Sequence, residues 1–387
     1  MSFTVLSDSD VKSLLAGLST ADATQLLDVL GQALVQYSCQ DEQKYQPHRG
    51  VVARPDGQVS LFMPATTPET IGVKIVGVSP SKPSPPTASS SSAPLPDSSE
   101  SKPPPPGLKS ALTLCDASGQ AFGVLNAAEL TAFRTALGSM LLYRYRRTTE
   151  RIVVFGAGQQ ALWHIRLALL LRGADIRAIT VVNRSRARTD QLIGALELPA
   201  GVRLEAFDGD RGAAALEALV ADADAIFCTT PATAPLFPAA YLASARARRK
   251  TRYVAAIGSY RLDMQELDPE FVRLVADPAS VLGTTTTEDG GAATHYQGGV
   301  VAVDSRGGCL QEAGELVKAV ISPDKMVEVG RLLHVKGEDG GAAELDAWLE
   351  NGLVVYKSVG VGVMDIAIGR QLLDLARNKG LGVSTDF

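Results

Sequence analysis

Cysteine and histidine are scarce in this chain, with four of each among 387 residues. The cysteines (Cys39, Cys115, Cys228 and Cys309) lie far apart, without C-x-x-C spacing or histidine pairs near them. Neither a metal site nor a disulfide framework is therefore expected, and the thiols suit a reducing compartment. A basic excess is also missing. Lys and Arg number 37 against 42 Asp and Glu, a formal net charge of −5, so the electrostatic footprint of a nucleic-acid binder is absent. No uninterrupted apolar run reaches the length of a membrane span. The stretch Met1 to Asp10 has neither the basic segment nor the apolar core of a secretory signal. The expectation is a cytoplasmic protein that engages neither membrane nor nucleic acid. What remains is an ordinary globular composition, 45% hydrophobic, long enough for two domains that each bury a core.

The organising stretch begins at Arg151. Ile152 to Phe155 reads as a buried strand, and Gly156, Gly158 and Ala161 then follow the spacing G-x-G-x-x-A. Leu162, Ile165, Leu167, Ala168, Leu169 and Leu171 continue at helical spacing up to Gly173. Strand, glycine turn and helix form the context of a dinucleotide fingerprint. Gly156 makes the tight turn, Gly158 lets the backbone approach a pyrophosphate, and Ala161 permits close packing of helix on strand. The pyrophosphate is expected on the unpaired N–H groups at the helix start. A second strand, Ile179 to Val182, ends in Asn183-Arg184-Ser185, with Arg186 and Arg188 close behind. NAD enzymes usually place a carboxylate there for the ribose hydroxyls. Arg184 and Ser185 can instead hold a 2′-phosphate by charge-assisted hydrogen bonds, so NADP is expected rather than NAD; a solvated basic loop is the alternative.

Along the chain, Phe3–Leu6 reads as a strand, followed by a helix capped by Ser7 or Ser9 and a second amphipathic helix from about Thr20. Val51–Ala53, Val59–Met63 and Ile71–Val76 read as strands, with Pro55-Asp-Gly57 as the first turn. From Ser79 to Pro106 the chain is almost wholly Ser, Pro, Lys, Thr, Ala and acid, with Leu95 its one large apolar residue. Such composition predicts a disordered insertion, with Pro103–Pro106 as a minor alternative docking motif. Leu108–Leu114 and Ala121–Leu125 resume as strands, and Glu129–Tyr143 is a helix leading into the nucleotide unit. Further strands are expected at Ala225–Thr230, Tyr253–Ile257 and Arg273–Ala276, with a loop over Gly283–Gly299. Leu353–Gly360 reads as strand and turn, and Met364–Lys379 as a last helix. Alternating strands and helices make the class α/β.

Eight segments in order carry a resemblance. They are Gln46-Pro-His-Arg49, Leu61-Phe-Met-Pro64, Gly72-Val-Lys-Ile-Val76, Leu130-Thr-Ala-Phe-Arg-Thr-Ala136, Phe155-Gly-Ala-Gly-Gln159, Thr229-Thr-Pro-Ala-Thr233, Gly258-Ser-Tyr-Arg261 with Glu266-Leu267, and Lys357-Ser-Val-Gly360 with Asp365. Together they resemble the ornithine cyclodeaminase/mu-crystallin family. The resemblance implies a homodimer with a Rossmann NAD(P)-binding domain over 133–335 and an α+β substrate and dimerisation domain over 1–132, to which 336–387 returns. Fingerprint and resemblance together give a cofactor site of Thr135, Gly156, Ala157, Gly158, Gln159, Gln160, Asn183, Arg184, Ser185, Arg188, Thr229, Thr230, Ile257, Gly258, Ser358, Val359 and Gly360.

Arg49, Lys74 and Arg134 are cations within otherwise apolar segments, and buried cations call for a carboxylate partner. The resemblance makes that partner the substrate carboxylate, with Met63 beside it; an internal salt bridge or solvent exposure is the alternative. Ornithine-cyclising members carry Glu where this chain has Leu61 and Asp where it has Tyr260, and imine-reducing members lack both acids. The chain therefore looks closer to the ketimine-reductase, mu-crystallin-like members. The expected reaction is NADPH-dependent reduction of a small cyclic imino acid of the pyrroline- or piperideine-2-carboxylate type, with Lys74 or Tyr260 as hydrogen-bond or proton donor. The alternatives are an ornithine or lysine cyclodeaminase, an amino-acid dehydrogenase, or an NADPH-dependent small-molecule binding protein.

Overall fold

A computed structural model of the chain describes residues 2–78, 109–280, 299–337 and 343–386, together with the backbone of 285–286 and 292–293. The expected insertion at 79–106 and most of the expected loop at 283–299 lie outside the described residues.

The first part of the chain comprises β1 (Ser2–Leu6), α1 (Asp8–Ala16), α2 (Thr20–Cys39), β2 (Gly50–Ala53), β3 (Val59–Thr66), β4 (Thr70–Val78), β5 (Lys109–Asp116), β6 (Ala121–Asn126) and α3 (Ala128–Tyr143). The nucleotide unit follows with β7 (Arg151–Phe155), α4 (Gln159–Arg172), β8 (Ala178–Val182), α5 (Arg186–Gly194), β9 (Arg203–Ala206), α6 (Gly212–Ala221), β10 (Ala225–Cys228), α7 (Ala240–Ala243) and β11 (Tyr253–Ala256). Next come α8 (Pro269–Ala276), a short ladder of β12 (Thr285–Thr286) and β13 (Ala292–Ala293), β14 (Val301–Val303), α9 (Arg306–Glu312), α10 (Gly314–Ala319), β15 (Met326–Glu328) and α11 (Val329–Gly337). The chain closes with α12 (Ala343–Asn351), β16 (Val354–Lys357), α13 (Gly362–Asn378) and β17 (Val383–Asp386).

These elements form two main sheets. The first has the order β17-β1-β6-β5-β4-β3-β2, with an antiparallel meander from β2 to β6. Its strands alternate: in β4, Gly72, Lys74 and Val76 face inward while Ile71 and Ile75 face out. A period of two requires this once one face is covered. The cover is α13, whose Ile366 side chain comes within 2.5 Å of where a Cβ on Gly72 would stand, so glycine is needed for the close approach. The helices start where the sequence signals them. Ser7 and Ser19 each accept from the backbone N–H three residues on, and Asp10 and Asp22 answer back to the cap N–H.

The second sheet is parallel, in the order β15-β14-β16-β11-β10-β7-β8-β9. Here β7 lies between β8 and β10, so successive connections leave it toward opposite sides. That is the topological switch point, and a crevice opens at the carboxyl ends of strands in such a place. The two sheets are joined through α3, whose residues are almost all buried. Trp163 of α4 stacks edge-on against Phe133 at 5.2 Å and donates to Glu129. His164 is buried as well. Its Nδ1–H donates to the Gln160 carbonyl, leaving Nε2 to accept from Ser139, and burial pushes its pKa down to about 4. This histidine is a neutral strut between helices.

Two expectations change. Arg273–Ala276 is not a strand but the end of α8, because Asp268 caps the Glu270 N–H and Pro269 fills the first helical position. Phe271, Val272, Val275 and Ala276 then recur on one helical face, and the strand beside β16 is β14 instead. The return to the first domain also comes later than residue 336. β16 pairs with β11 and β14 in the second sheet, and it is α13 and β17 that return to the first sheet.

Close backbone approach also fixes α11 on α2. A Cβ at Gly330 would stand 1.9 Å from the Leu34 carbonyl oxygen and 2.4 Å from its carbon. Because both obstacles are backbone, Gly330→Ala should lower the unfolding free energy by about 1–3 kcal/mol, the usual cost of overpacking, as measured by denaturant melts.

Candidate functional site

Strand alternation turns Lys74 of β4 inward, where it is 2% exposed, and α3 brings up Arg134 at 4%. Both meet Asp365 in the first turn of α13, itself 1% exposed. Lys74 Nζ lies 2.8 Å from one carboxylate oxygen, and Arg134 Nε donates to the other at 3.0 Å. Burial tends to raise the Asp365 carboxyl, but the Arg134 and Lys74 charges outweigh it and hold the group below the ordinary range. Burial is the largest effect on Lys74 and pushes its ammonium down to about 8; Asp365 pulls the other way, and Arg134 adds to the lowering. Lys74 also reaches Thr131 Oγ1 at 3.4 Å, and Met63 stands directly opposite it in the β3–β4 register. Two cations against one carboxylate leave this buried cluster with one positive charge in excess. A further carboxylate would complete it.

Arg134 also touches the turn after β16. A Cβ on Gly360 would sit 2.9 and 3.0 Å from its two terminal nitrogens, and Gly360 has φ +85°, so glycine is required twice over. Arg49 stands differently: its guanidinium is paired with Glu312 at the end of α9 in the other domain, and it remains partly exposed. Tyr260 is 51% exposed on the loop after β11.

The fingerprint turn has the shape a dinucleotide needs. Gly156 has φ +111°, and a Cβ there would meet Thr229 Oγ1 at 2.6 Å. Gly158 caps α4 and has nothing within 4 Å of a Cβ position, which leaves open space above the first N–H groups of the helix. Gly158, Gln159, Gln160 and Thr229 line a cleft of ≈ 1080 Å³. Its opposite wall includes Ile75, Gly77, Asn126 and Thr131 of the first domain, so the Lys74 partner Thr131 and the fingerprint share one cavity. At the end of β8, Asn183 donates to the Ser185 carbonyl and Ser185 caps α5. Arg184 and Arg188 are exposed there, and neither has an ion-pair partner among the described residues.

The other expected cofactor residues are arranged by buried carboxylates. Glu266 accepts from the Thr230 N–H and hydroxyl and from the Gly258 N–H. Asp304 accepts from Ser358 Oγ and from the Val359 and Gly360 N–H groups. Those N–H groups are therefore occupied by protein, not free for a phosphate. Ile257 and Thr135 are buried beside them, with the Ile257 N–H on the Cys228 carbonyl. Ser259 and Lys357, from the same segments, form a fully buried set with Glu315: Lys357 Nζ donates to Ser259 Oγ at 2.6 Å, and the Ser259 hydroxyl donates on to Glu315. With no exposure at all, this set holds the strand ends together and is no nucleophile.

Residues 106–380 match the ornithine cyclodeaminase/mu-crystallin family as a whole. The chain belongs to that family. Among its relatives is a Δ1-pyrroline-2-carboxylate reductase of Bacillus cereus, 24% identical over 281 residues, which span 70% of this chain and 71% of the relative. An iminosuccinate reductase of Paracoccus denitrificans is 25% identical over 274 residues, 70% of this chain and 71% of the relative. The fold matches that of the Thermococcus litoralis Δ1-pyrroline-2-carboxylate reductase, solved with NADH and L-proline, with TM-score 0.69 and 18% identity over 99% of this chain and 100% of the other.

Within this family frame, Lys74 and Arg134 come together, whereas Arg49 is paired elsewhere and the Tyr260 hydroxyl makes no hydrogen bond among the described residues. Leu61 is half-buried in β3 opposite Val76, and Asp263 pairs with Arg261 in solvent, so neither position supplies a buried acid. The sequence reading gave no role to Asp365, Glu266, Asp304 or Glu312. A need for carboxylates beside buried cations was the one signal that pointed to Asp365. Asp365→Asn would leave Lys74 and Arg134 facing each other without a counter-charge, and should lower stability at neutral pH by about 3–5 kcal/mol. Because the Asp365 pKa is depressed, its contribution is complete above about pH 4 and is lost as pH falls through its folded value. Urea melts from about pH 7 down to pH 3 should therefore show the wild-type advantage shrinking with acid.

Proposed function

We propose that this chain is an NADPH-dependent ketimine reductase that converts a small cyclic imino acid into the corresponding cyclic L-amino acid. The observation that carries this reading is the buried Lys74–Asp365–Arg134 cluster, one positive charge in excess, whose neighbour Thr131 lines the cleft of the open fingerprint turn. An α-imino carboxylate brings one anion to fill that excess. Names among the relatives, pyrroline-2-carboxylate and iminosuccinate reductase, support imine reduction as the reaction.

The bound dinucleotide would supply hydride to the imine carbon. Arg134 and Lys74 receive the carboxylate, and Arg49 joins them by exchanging Glu312 for substrate. Asp365 keeps the two buried cations apart and aimed, so orientation is fixed before substrate arrives. Lys74, with its pKa near 8, can hold a proton for the imine nitrogen at neutral pH and part with it readily. Tyr260 donates a hydrogen bond at the mouth of the site. The absence of an acid at Leu61 and Tyr260 leaves a second amino group without a partner, which favours a preformed ring imine over a diamine.

Cofactor choice rests on Arg184 and Arg188, exposed at the end of β8 beside the Ser185 cap. The assembly is a homodimer joined through the outer face of the first sheet, where Val52, Phe62 and Ile71 are exposed on one side of the strands. Four free cysteines fit a reducing, cytoplasmic setting, and no helix among the described residues is long and apolar enough to cross a membrane.

Purified protein should oxidise NADPH only when a cyclic imino acid is supplied. A panel of five-, six- and sulfur-containing rings, scored also for ammonia release from ornithine and lysine, decides the reaction; no imine turnover would overturn the reading. In the same assay kcat/KM should fall as pH rises through about 8, where Lys74 loses its proton, and Lys74→Met should cost about a hundredfold or more. Arg184→Asp reverses the charge at the ribose edge. It should shift the NADPH/NADH preference about tenfold or more toward NADH, read from the two kcat/KM values.

A further inference from the structure

Glu266 is fully buried, yet it belongs to neither the cation cluster nor the fingerprint. Its carboxylate joins two turns that are far apart in sequence. Oε1 accepts from the Thr230 N–H at 2.5 Å and the Thr230 hydroxyl at 2.9 Å, and Oε2 accepts from the Gly258 N–H at 2.6 Å. These are the turns that leave β10 and β11 at the carboxyl ends of the second sheet. They touch: a Cβ on Gly258 would stand 2.1 Å from the Thr230 carbonyl oxygen. The contact runs on to the fingerprint, because Thr229 donates to the Phe155 carbonyl and packs against Gly156, and Thr229 lines the cleft. The Glu266 loop is itself tied down, with Gln265 N–H on the Ala232 carbonyl, Leu236 N–H on the Glu266 carbonyl, and Leu267 buried.

We propose that Glu266 is a positioning residue for the dinucleotide: its negative charge holds the Thr229–Thr230 and Gly258 turns in register beside the fingerprint, and cofactor affinity depends on that charge. The inference rests on the dinucleotide site of the proposed function and adds to it a residue that does not touch the cofactor. Three donors converge on the carboxylate, and no cation forms an ion pair with it among the described residues. Lys357 of β16 is the nearby cation, already paired with Glu315 of α10, and the facing Cys228 thiol of β10 is held neutral by burial. Burial pushes the Glu266 carboxyl up to about 7, against the opposing pull of Lys357 and the three hydrogen bonds. Protonation removes the charge that strengthens these three hydrogen bonds, and a neutral carboxyl accepts more weakly. The clamp therefore opens as pH falls through neutrality, in a range where an ordinary glutamate would stay charged.

The test is equilibrium binding of NADH and NADPH, followed by fluorescence from about pH 8 to about pH 6. Wild-type affinity for NADH, which carries no 2′-phosphate, should weaken about tenfold over that range, as a group with pKa near 7 goes from mostly ionised to mostly neutral. Glu266→Gln keeps the size but turns an amide donor toward Gly258 or Thr230. Its affinity should be about tenfold weaker at pH 8 and flat with pH, with the melting curve recorded beside it. A variant that binds as tightly as wild type at pH 8, or that keeps the wild-type pH dependence, overturns the proposal. Should Glu266→Gln fail to fold, the wild-type profile decides alone, and a flat one overturns it. Failure of the wild-type protein to bind either dinucleotide would instead remove the proposed cofactor and this role together.

Discussion

One carboxylate shared between two buried cations sets the geometry of the first domain. Asp365 lies in α13, Lys74 in β4 and Arg134 in α3, so a single acidic group fastens the last helix, the meander and the connecting helix to a common point. Each charge alone would be costly in a dry interior, and together they remain one negative charge short of neutrality. The sheet alternation that turns Lys74 inward is tolerable only because α13 arrives with a carboxylate. In turn, α13 can lie flat on the sheet only because Gly72, Gly123 and Gly369 leave room at the contact.

The nucleotide domain uses buried charge in a related way. Its turns at the carboxyl ends of the parallel strands carry backbone N–H groups that have run out of ladder partners. Glu266 and Asp304 take up these groups at Thr230, Gly258, Val359 and Gly360. The α4 N-terminus is left as the place where N–H groups remain open toward the cleft, above Gly158. The anion-binding end of the crevice is thus confined to the fingerprint, while the remaining rim is made rigid from behind.

Much of this was legible in the sequence, for identifiable reasons. The fingerprint was readable because glycine spacing, a four-residue apolar strand and a helical stripe are all local signals. Strand periodicity put Lys74 on the face opposite Val73 and Ile75, but it could not say which face is buried; the arrival of α13 decides that Lys74 points inward and Ile75 out. The capping serines were readable within three residues of their partners. Arg273–Ala276 was misread because a short apolar run does not distinguish strand from helix; the Asp268–Pro269 start signal just upstream decides it. Asp365, Glu266 and Asp304 stayed without a role because Arg134, Thr230 and the 358–360 turn stand 231, 36 and 54–56 positions from them, across elements whose pairing only the fold reveals. The pairing of Arg49 with Glu312 was invisible for the same reason.

The two ends of the described chain meet in the first sheet, with β17 antiparallel to β1 and the Thr4 and Ser384 hydroxyls 3.1 Å apart. The domain built on the first sheet is therefore a discontinuous unit, to which β1, α13 and β17 all belong, with the whole nucleotide domain inserted between. On the ribosome the order of completion is fixed by this arrangement. The parallel sheet has all its strands once β16 has emerged, while Lys74 and Arg134 must wait, without a counter-charge, until α13 delivers Asp365. The nucleotide domain can serve as a folded template for its neighbour, and the three-way contact of Lys74, Arg134 and Asp365 forms only after that template's strands have all emerged.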